Sequence, residues 1–312
     1  MARDQLVAAG MSRRAIERAV ARGMLEKRGL RLFVDPRWAG TGDLRRELRR
    51  ALFAVLCSCT PVQRSGAAVF RRSAAALWEL DGFGVFRGSR MPAPTLPVEV
   101  AVTCGRTRPE AVFKVDDLAG TDVVLLEGLP VTSVARTMVD LGQVAGKPLL
   151  ERALESALRK RHVTVEELSS KLSSVQKQWG TASLRSLLAE RPAGLTPTES
   201  DAETLFAQLV RVAGLPSPER QFSVRTRDGL YRLDFAWPAA RIGVEIDGAE
   251  AHASAGALVR DLRRQNSLVL VLSTRGWVIL RFTWPDLVDE RRARHTVGKV
   301  REAWSIALAN SR

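Results

Sequence analysis

Cysteine is scarce in this sequence and long apolar runs are missing. The three cysteines, Cys57, Cys59 and Cys104, are an odd and sparse set that fits a reducing cytoplasm. Cys57 and Cys59 have no further cysteine or histidine nearby in sequence to complete a metal site, so we interpret them as packing residues. No apolar run approaches the ~18 residues of a membrane span, and the N-terminus lacks a signal-peptide core. We therefore expect a cytoplasmic protein with no membrane partner.

Negative charge is also low compared with positive charge. The 312 residues include 48 Lys and Arg against 34 Asp and Glu, a formal net charge of +14, and 46% are hydrophobic. The length and the hydrophobic fraction predict two or three globular domains. The positive charge attracts polyanions, of which nucleic acid is the most common in the cytoplasm. An Ala/Arg/Val-rich composition also follows from a GC-rich genome, so nucleic-acid binding needs a motif as well.

Residues 1–40 contain the order of elements typical of a winged helix-turn-helix. DQLVAAG predicts a short helix ending at Gly10, and Ser12 is placed to cap a second helix in RRAIERAVARG. That helix has an apolar stripe of Ala15, Ile16, Ala19 and Val20. MLEKRGLRLFVD predicts two short strands, which would form the wing. The residues expected to contact DNA are Arg13, Arg14, Arg18, Arg22, Lys27 and Arg28. The alternative is a small helical cap with solvated arginines.

The N-terminal half resembles a known family. MSRRAIERAVARGMLEKRGLRLFV, RRSAAALWELDGF, VEVAVT, GLPVTSVARTMVDLG and LERALESALRKRHVTVEELSSKL are similar to phrases of AbiEi-type antitoxins. The resemblance covers about residues 1–175. It implies an autorepressing DNA-binding domain, and a toxin or a defence-system component as a partner.

Residues 41–175 predict a mixed α/β middle region without a catalytic constellation. Thr132 and Ser133 precede the helix VARTMVDL, which contains Arg136 and Asp140 four residues apart. This spacing predicts a helix cap followed by an ion pair along the helix, which is a structural role. Residues 176–196 are polar, and Pro192, Gly194 and the following Pro197 mark a linker that contains one short helix, ASLRSLLAE.

Residues 197–312 predict a helix, a hairpin, a strand, a helix, a strand and a final helix. In the first helix we expect Leu205, Leu209 and Val212 to face inward. The hairpin FSVRTRDGLYRLDFAWP turns at Arg227-Asp228-Gly229, and RIGVEIDG is the next strand.

Three carboxylates interrupt these apolar strands. Side chains alternate across a strand, so Glu245 and Asp247 share one face, and pairing of RLDFAW with RIGVEIDG brings Asp234 beside them. Carboxylates on one patch repel each other and resist desolvation. A bound Mg²⁺, or Mn²⁺ in its place, relieves that cost and activates water for phosphodiester hydrolysis.

The order of elements resembles the layout of a PD-(D/E)XK nuclease: a helix and a hairpin, an acid, about ten residues, an acid-x-residue pair on a strand, then a helix and a strand. More closely, ETLFAQLVRVAGLPSPERQ, RLDFAWPAARIGVEIDGAEAH, DLRRQNSLVL and GWVILRFTW resemble the endonuclease-domain family related to very-short-patch-repair (Vsr) nucleases, over nearly all of residues 199–290. The resemblance implies a restriction-endonuclease-like α/β/α domain with metal ligands Asp234 and Glu245. It further implies Glu203 as a third ligand or water-orienting group, and functional positions at Asp247, His252 and Asp261, with His252 as acid/base.

The sequence departs from the nuclease pattern at one position. The lysine of Glu-x-Lys is replaced by Asp247, so its positive charge must come from elsewhere, and His252 and Arg264 are candidates. NSLVLVLSTRGW is also longer than the family's spacing by about one helical turn. Each acid has a structural alternative: turn chemistry for Asp234 and Asp247, and a polar helix face for Glu203.

The expected fold is thus an α/β multidomain protein with a winged helix-turn-helix at 1–40, a middle region at 41–175, a linker at 176–196 and a nuclease domain at 197–312. The expected function is metal-dependent DNA cleavage. One alternative is a non-catalytic DNA-binding regulator or antitoxin with a nuclease-like domain. Another is repair chemistry by Asp247 and His252 without metal-assisted strand cleavage. The sequence leaves the oligomeric state open.

Overall fold

The chain is a mixed α/β protein that divides into two compact units, Met1–Arg191 and Pro192–Arg312. The computed structural model describes residues 6–7, 9–27, 33–34, 44–83, 98–107, 111–175, 180–192, 194–226, 229–247, 266 and 268–310. None of the helices in these ranges is both long and apolar enough to cross a membrane.

The first unit begins with a helix and a two-stranded ribbon. Helix α1 (Arg13–Ala21) is capped by the Ser12 side chain, which accepts a hydrogen bond from the Ala15 amide at 3.2 Å. Strands β1 (Glu26–Lys27) and β2 (Phe33–Val34) pair antiparallel. Of the predicted apolar stripe, Ile16 and Ala19 are buried in a small core with Leu6, Leu25 and Phe33, and Val20 packs against this core.

A five-stranded mixed sheet forms the centre of the middle region. Its strands, in the spatial order β5-β4-β3-β7-β6, are β3 (Ala68–Val69), β4 (Val100–Val102), β5 (Val112–Lys114), β6 (Val123–Leu126) and β7 (Leu129–Thr132). The β6–β7 hairpin turns through Glu127 and Gly128, both with positive φ (49° and 80°), as a tight two-residue turn requires. This sheet confirms the predicted α/β character of the region.

The helices of this region form a hydrophobic core of their own. They are α2 (Leu44–Ser58), α3 (Pro61–Ser65), α4 (Arg71–Leu77), α5 (Val134–Leu141), α6 (Lys147–Arg159), α7 (Val165–Ser174) and α8 (Thr181–Glu190). Helix α8 lies in the segment expected to be a linker. Its Leu184 and Leu187 are buried in the same core as Met138 and Leu150. This part of the segment therefore belongs to the packed structure of the first unit.

A buried arginine links α5 to the loop before the β6–β7 hairpin. Ser133 caps α5, and Arg136 Nε donates to Asp140 Oδ1 at 3.0 Å, so the predicted cap and ion pair are confirmed. Arg136 also binds Asp117 Oδ1 through Nη2 at 2.9 Å and lies 3.3 Å from Asp122 Oδ2 through Nη1. Only 1% of its side chain is exposed. Each guanidinium nitrogen of buried Arg136 thus has a carboxylate partner, so we assign the cluster a structural role.

The second unit is built on a four-stranded mixed sheet in the order β11-β10-β9-β8. Strands β8 (Glu219–Thr226), β9 (Gly229–Trp237) and β10 (Ile242–Asp247) are antiparallel neighbours, and β11 (Val278–Thr283) runs parallel to β10. The predicted pairing of RLDFAW with RIGVEIDG is confirmed, with Ile242 opposite Trp237. Its helices are α9 (Asp201–Val212), α10 (Trp284–Val288) and α11 (Glu290–Asn310).

Helix α9 packs on the sheet through a different stripe from the one expected. Val212 is 84% exposed, so its predicted inward position is wrong, and Leu205 and Leu209 are only partly buried. The apolar side chains of α9 that are buried are Ala202, Phe206 and Val210. These residues recur every four positions, and Val212 lies about 200° around the helix from Val210. The core of this unit also includes Phe235, Val244 and Phe282.

Candidate functional site

Four polar side chains form a row across the sheet of the second unit. The β9–β10 register pairs Val244 with Phe235, and its continuation by one residue places Asp234 opposite Glu245. The parallel β10–β11 register pairs Glu245 with Arg281. On the other side, the pairs Arg220–Phe235 and Phe222–Leu233 of β8 and β9 flank Gln221 and Asp234. The row, called here the acidic row, is therefore Gln221, Asp234, Glu245 and Arg281.

Asp234 stands where the β9–β10 ladder ends. Its Oδ2 accepts a hydrogen bond from the Ile246 amide at 2.7 Å, and that amide belongs to the peptide bond that follows Glu245. The carboxylate thus takes the place that a strand carbonyl would occupy, and it lies directly beside β10. Asp234 consequently has a structural contact and, at the same time, a position next to the second acid of the row.

Glu245 lies in the middle of β10, and only 8% of it is exposed. The neighbouring Val244 and Ile246 point into the core on the other face of the sheet. Asp247 is the last residue of β10, and its Oδ1 is 2.5 Å from Arg281 Nη2. Arg281 Nε lies 3.7 Å from Glu245 Oε2. One guanidinium therefore faces both acids of β10.

Arg281 was missed as a functional residue at the level of sequence. The signal was present, since an arginine in the centre of the apolar strand VILRFT is as costly as an acid in IGVEID. Its partner could not be predicted from the sequence, because the register that pairs Arg281 with Glu245 joins strands that are far apart in sequence.

Glu203 is buried at the N-terminus of α9. Its Oε2 accepts hydrogen bonds from the Glu199 amide at 2.8 Å and from Gln221 Nε2 at 3.1 Å, and its Oε1 accepts one from the Ser200 hydroxyl at 3.0 Å. Burial raises the pKa of Glu203, and the charge of Asp234 raises it further, although the hydrogen bonds from Glu199 and Ser200 act in the opposite direction. Three hydrogen bonds therefore hold the Glu203 carboxylate in a set orientation.

Gln221 connects Glu203 to the acidic row from a distorted backbone position. Its φ is +54°, a conformation that non-glycine residues rarely adopt and that is retained where the surrounding structure enforces it. It borders an open cleft of about 460 Å³. The cleft is lined by Glu199, Gln221, Leu230, Tyr231, Arg232 and Asp234. Asp234 is thus reachable from solvent along the β8–β9 hairpin.

The donor set fits a hard divalent cation. Carboxylate oxygens are the preferred ligands of Mg²⁺, which binds through one or two carboxylates and keeps several waters. Asp234 and Glu245 supply that number from adjacent strands. Within the described ranges, no three Asp, Glu, His or Cys side chains gather into a metal-binding group. His252, Asp261 and Arg264 lie outside the described residues.

The arginines of α1 form a second charged feature, in the first unit. Ile16 and Ala19 are buried, whereas the arginines lie on the exposed side of the helix. Arg13 pairs with Glu17 at 3.5 Å, and Arg18 Nε donates to the Arg14 carbonyl at 3.3 Å. The exposed arginines are Arg13, Arg14, Arg18 and Arg22. Lys27 lies in β1, and Arg28 lies outside the described residues.

The chain is thus a mixed α/β protein of two compact units, and the acidic row lies on the sheet of the second unit. No protein-family model and no solved structure matches it. It is similar to the uncharacterized proteins MT2308 and Rv2248 of Mycobacterium tuberculosis, from strains CDC 1551 and H37Rv. Each is 30% identical over 189 residues, which is 60% of this chain and 65% of the relative. The matched part thus spans less than two thirds of these relatives.

Proposed function

We propose that the second unit is a metal-dependent DNA endonuclease that hydrolyses phosphodiester bonds, and that the N-terminal segment is a winged helix that targets or regulates it. The observation that carries the proposal is the acidic row. It sets buried Glu245 between Asp234 on one strand and Arg281 on the next.

The chemical composition of this patch supports a binding role over a purely structural one. Arg281 contacts Asp247 and lies 3.7 Å from Glu245, and Asp234 accepts a hydrogen bond from the amide that follows Glu245. Placing Glu245 inside a strand costs free energy that a valine or an isoleucine would not cost. A pair of acids on adjacent strands, one of them lining an open cleft, fits a site that a cation completes.

Each residue of the site then has a role. Asp234 and Glu245 would hold Mg²⁺ or Mn²⁺, which when bound neutralises charge on a phosphate and lowers the pKa of a water. The Ile246 amide fixes the orientation of Asp234. Glu203, through Gln221, positions the β8 side of the cleft beside Asp234. His252 stays the candidate acid that protonates the leaving oxygen.

A cleavage assay tests this function directly. The full chain is incubated with plasmid and oligonucleotide DNA in Mg²⁺, Mn²⁺ or EDTA, beside Glu245→Gln. Glu302→Gln is the matched control, because it removes an exposed carboxylate of α11 that pairs with Lys299. We expect ion-dependent cleavage by the wild type and by the control, and none by Glu245→Gln. Cleavage that persists in EDTA or in Glu245→Gln would contradict the metal site.

A second candidate function is a DNA-binding regulator or antitoxin that does not cleave. The exposed arginines of α1, together with the β1–β2 ribbon beside that helix, favour it. The same assay separates the two functions, since binding without cleavage under every ion condition supports the regulator. A toxin or another defence component is the partner that this second function would involve.

A further inference from the structure

We propose that Arg281 supplies the positive charge of the nuclease site in place of the absent motif lysine, and that it is the positioning residue for Asp247. The inference rests on the proposed function for its cleavage measurement. Its ion-binding measurement stands independently of that function.

The geometry assigns this role through the strand register. A Glu-x-Lys motif places its cation two residues after the acid, on the same strand face. Here that position holds Asp247, whose charge repels that of Glu245. Arg281 stands opposite Glu245 on the parallel strand β11 and reaches Asp247 with Nη2 at 2.5 Å. The cation therefore comes from the neighbouring strand rather than from the motif itself.

The chemistry of arginine limits what this cation does. A guanidinium stays protonated at any physiological pH, so Arg281 cannot act as a general base as a lysine with a lowered pKa can. It acts by its charge and by its hydrogen bonds. One quarter of its side chain is exposed, which leaves the guanidinium accessible to the phosphate of a bound substrate.

The proposed role predicts that removal of Arg281 changes ion affinity and cleavage rate in opposite directions. A fixed positive charge within about 4 Å of Glu245 opposes the binding of a divalent cation there. Removing that charge should strengthen ion binding while it slows cleavage, because the charge on the reacting phosphate loses a stabilising partner. An arginine that only pairs with the acids would leave the cleavage rate at saturating Mn²⁺ unchanged when it is removed.

The experiment compares Arg281→Gln, Arg281→Lys and the wild type as full chains. Mn²⁺ affinity is measured by isothermal titration calorimetry, and cleavage is measured at saturating Mn²⁺. The matched control is Arg294→Gln, which removes one charge from an exposed ion pair on α11. We expect Arg281→Gln to bind Mn²⁺ roughly tenfold more tightly and to cleave more slowly. The control should match the wild type.

Arg281→Lys is a second test, which remains informative if the glutamine variant misfolds. It keeps the charge, so its Mn²⁺ affinity should stay within about twofold of the wild type. It should still cleave more slowly, because an ammonium group cannot face Asp247 and Glu245 with two fixed nitrogens, as Nη2 and Nε of Arg281 do. Unchanged or weaker Mn²⁺ binding by folded Arg281→Gln would overturn the role, as would a tenfold change in Arg281→Lys. If the wild type binds Mn²⁺ and cleaves no DNA, the proposed function fails and the affinities alone decide on Arg281.

Discussion

Two clusters in this protein are centred on an arginine among acids, and they differ in how completely the charges are enclosed. In the first unit, Arg136 is 1% exposed and contacts three carboxylates, those of Asp117, Asp122 and Asp140. In the second unit, Arg281 is 25% exposed, and it faces Asp247 at 2.5 Å and Glu245 at 3.7 Å.

The difference separates a structural cluster from a candidate site. Around Arg136 every guanidinium nitrogen has a carboxylate within 3.3 Å, so this buried guanidinium is fully paired, and of its partners only Asp117 is partly exposed. Around Arg281 the guanidinium itself is 25% exposed, the side chain of Asp247 is 43% exposed and nearby Asp234 lines an open cleft, although Glu245 is buried. Enclosure, rather than the number of charges, distinguishes the two.

The largest expected effect is on stability, and it tests whether the Arg136 cluster stabilises its unit more than the Arg281 cluster does. Arg136→Met removes the cation that pairs with buried Asp140 and leaves Asp122 with Lys171 alone, so it should lower the free energy of unfolding of the first unit by about 3 to 5 kcal/mol. Arg281→Met should lower that of the second unit by less, about 1 to 2 kcal/mol, because solvent screens Asp247, the closer of its two partners. Hydrogen-exchange mass spectrometry reports both units in one sample. Equal losses would show that the two clusters are alike.

The next effect concerns activity. Glu245→Gln keeps the size of the side chain and removes the charge of the proposed ion ligand, so cleavage should slow at least about 100-fold, ~3 kcal/mol in activation free energy. Asp140→Asn, an equivalent change in the Arg136 cluster, should leave the cleavage rate of the folded protein unchanged. Rates are measured with single-turnover oligonucleotide cleavage. A comparable loss in Asp140→Asn would contradict the separation.

The pH dependence of stability sharpens the description of the enclosed cluster. Burial raises the pKa of Asp140 from 3.8 to about 6, against the opposing effect of Arg136. A carboxyl that binds its proton more tightly in the folded protein contributes stability that is present below about pH 4 and lost as the pH rises through about 6. From pH 7 to pH 4, the wild type should therefore gain on the order of 2 to 3 kcal/mol relative to Asp140→Asn.

Urea unfolding of both proteins across this pH range measures that difference, and other titrating groups cancel between them. The opposite trend, in which the wild type gains stability relative to Asp140→Asn as the pH rises, would show that the ion pair with Arg136 outweighs burial. Asp140 would then have a lowered pKa.

The smallest expected effect extends the comparison to the exposed arginines of α1. The double variant Arg14→Gln/Arg18→Gln should weaken DNA binding about tenfold and reduce the slope of log affinity against log salt by about 1 to 2. The control Arg106→Gln/Arg161→Gln removes the same charge from exposed arginines elsewhere in the unit. Fluorescence anisotropy at several salt concentrations gives both values. Equal losses in the two variants would reduce α1 to a solvated surface.

Local patterns in the sequence predicted much of this fold. The cap of α1 by Ser12, the cap of α5 by Ser133 and the Arg136–Asp140 pair each join residues three or four positions apart, so the spacing alone indicates them. The β9–β10 pairing followed from two alternating strands close in sequence. These predictions depend only on neighbouring residues, and the structure confirms them.

Contacts between distant segments could not be predicted in this way. Amphipathic spacing allowed more than one inward stripe on α9, and packing on the sheet selected the one that leaves Val212 exposed. The approach of Asp117 to Arg136 and the contact between Gln221 and Glu203 also depend on how distant elements meet.

The sequence by itself determined that Asp234, Glu245 and Asp247 interrupt two apolar strands. An acid in such a strand costs free energy, and its apolar neighbours in the sequence are enough to recognise it. The tertiary structure decided what accompanies these acids. The parallel pairing of β10 with β11 brought Arg281 opposite Glu245, 36 positions further along the chain. Strand register is a property of the whole sheet, so the cation of the candidate site became visible only after the chain had folded.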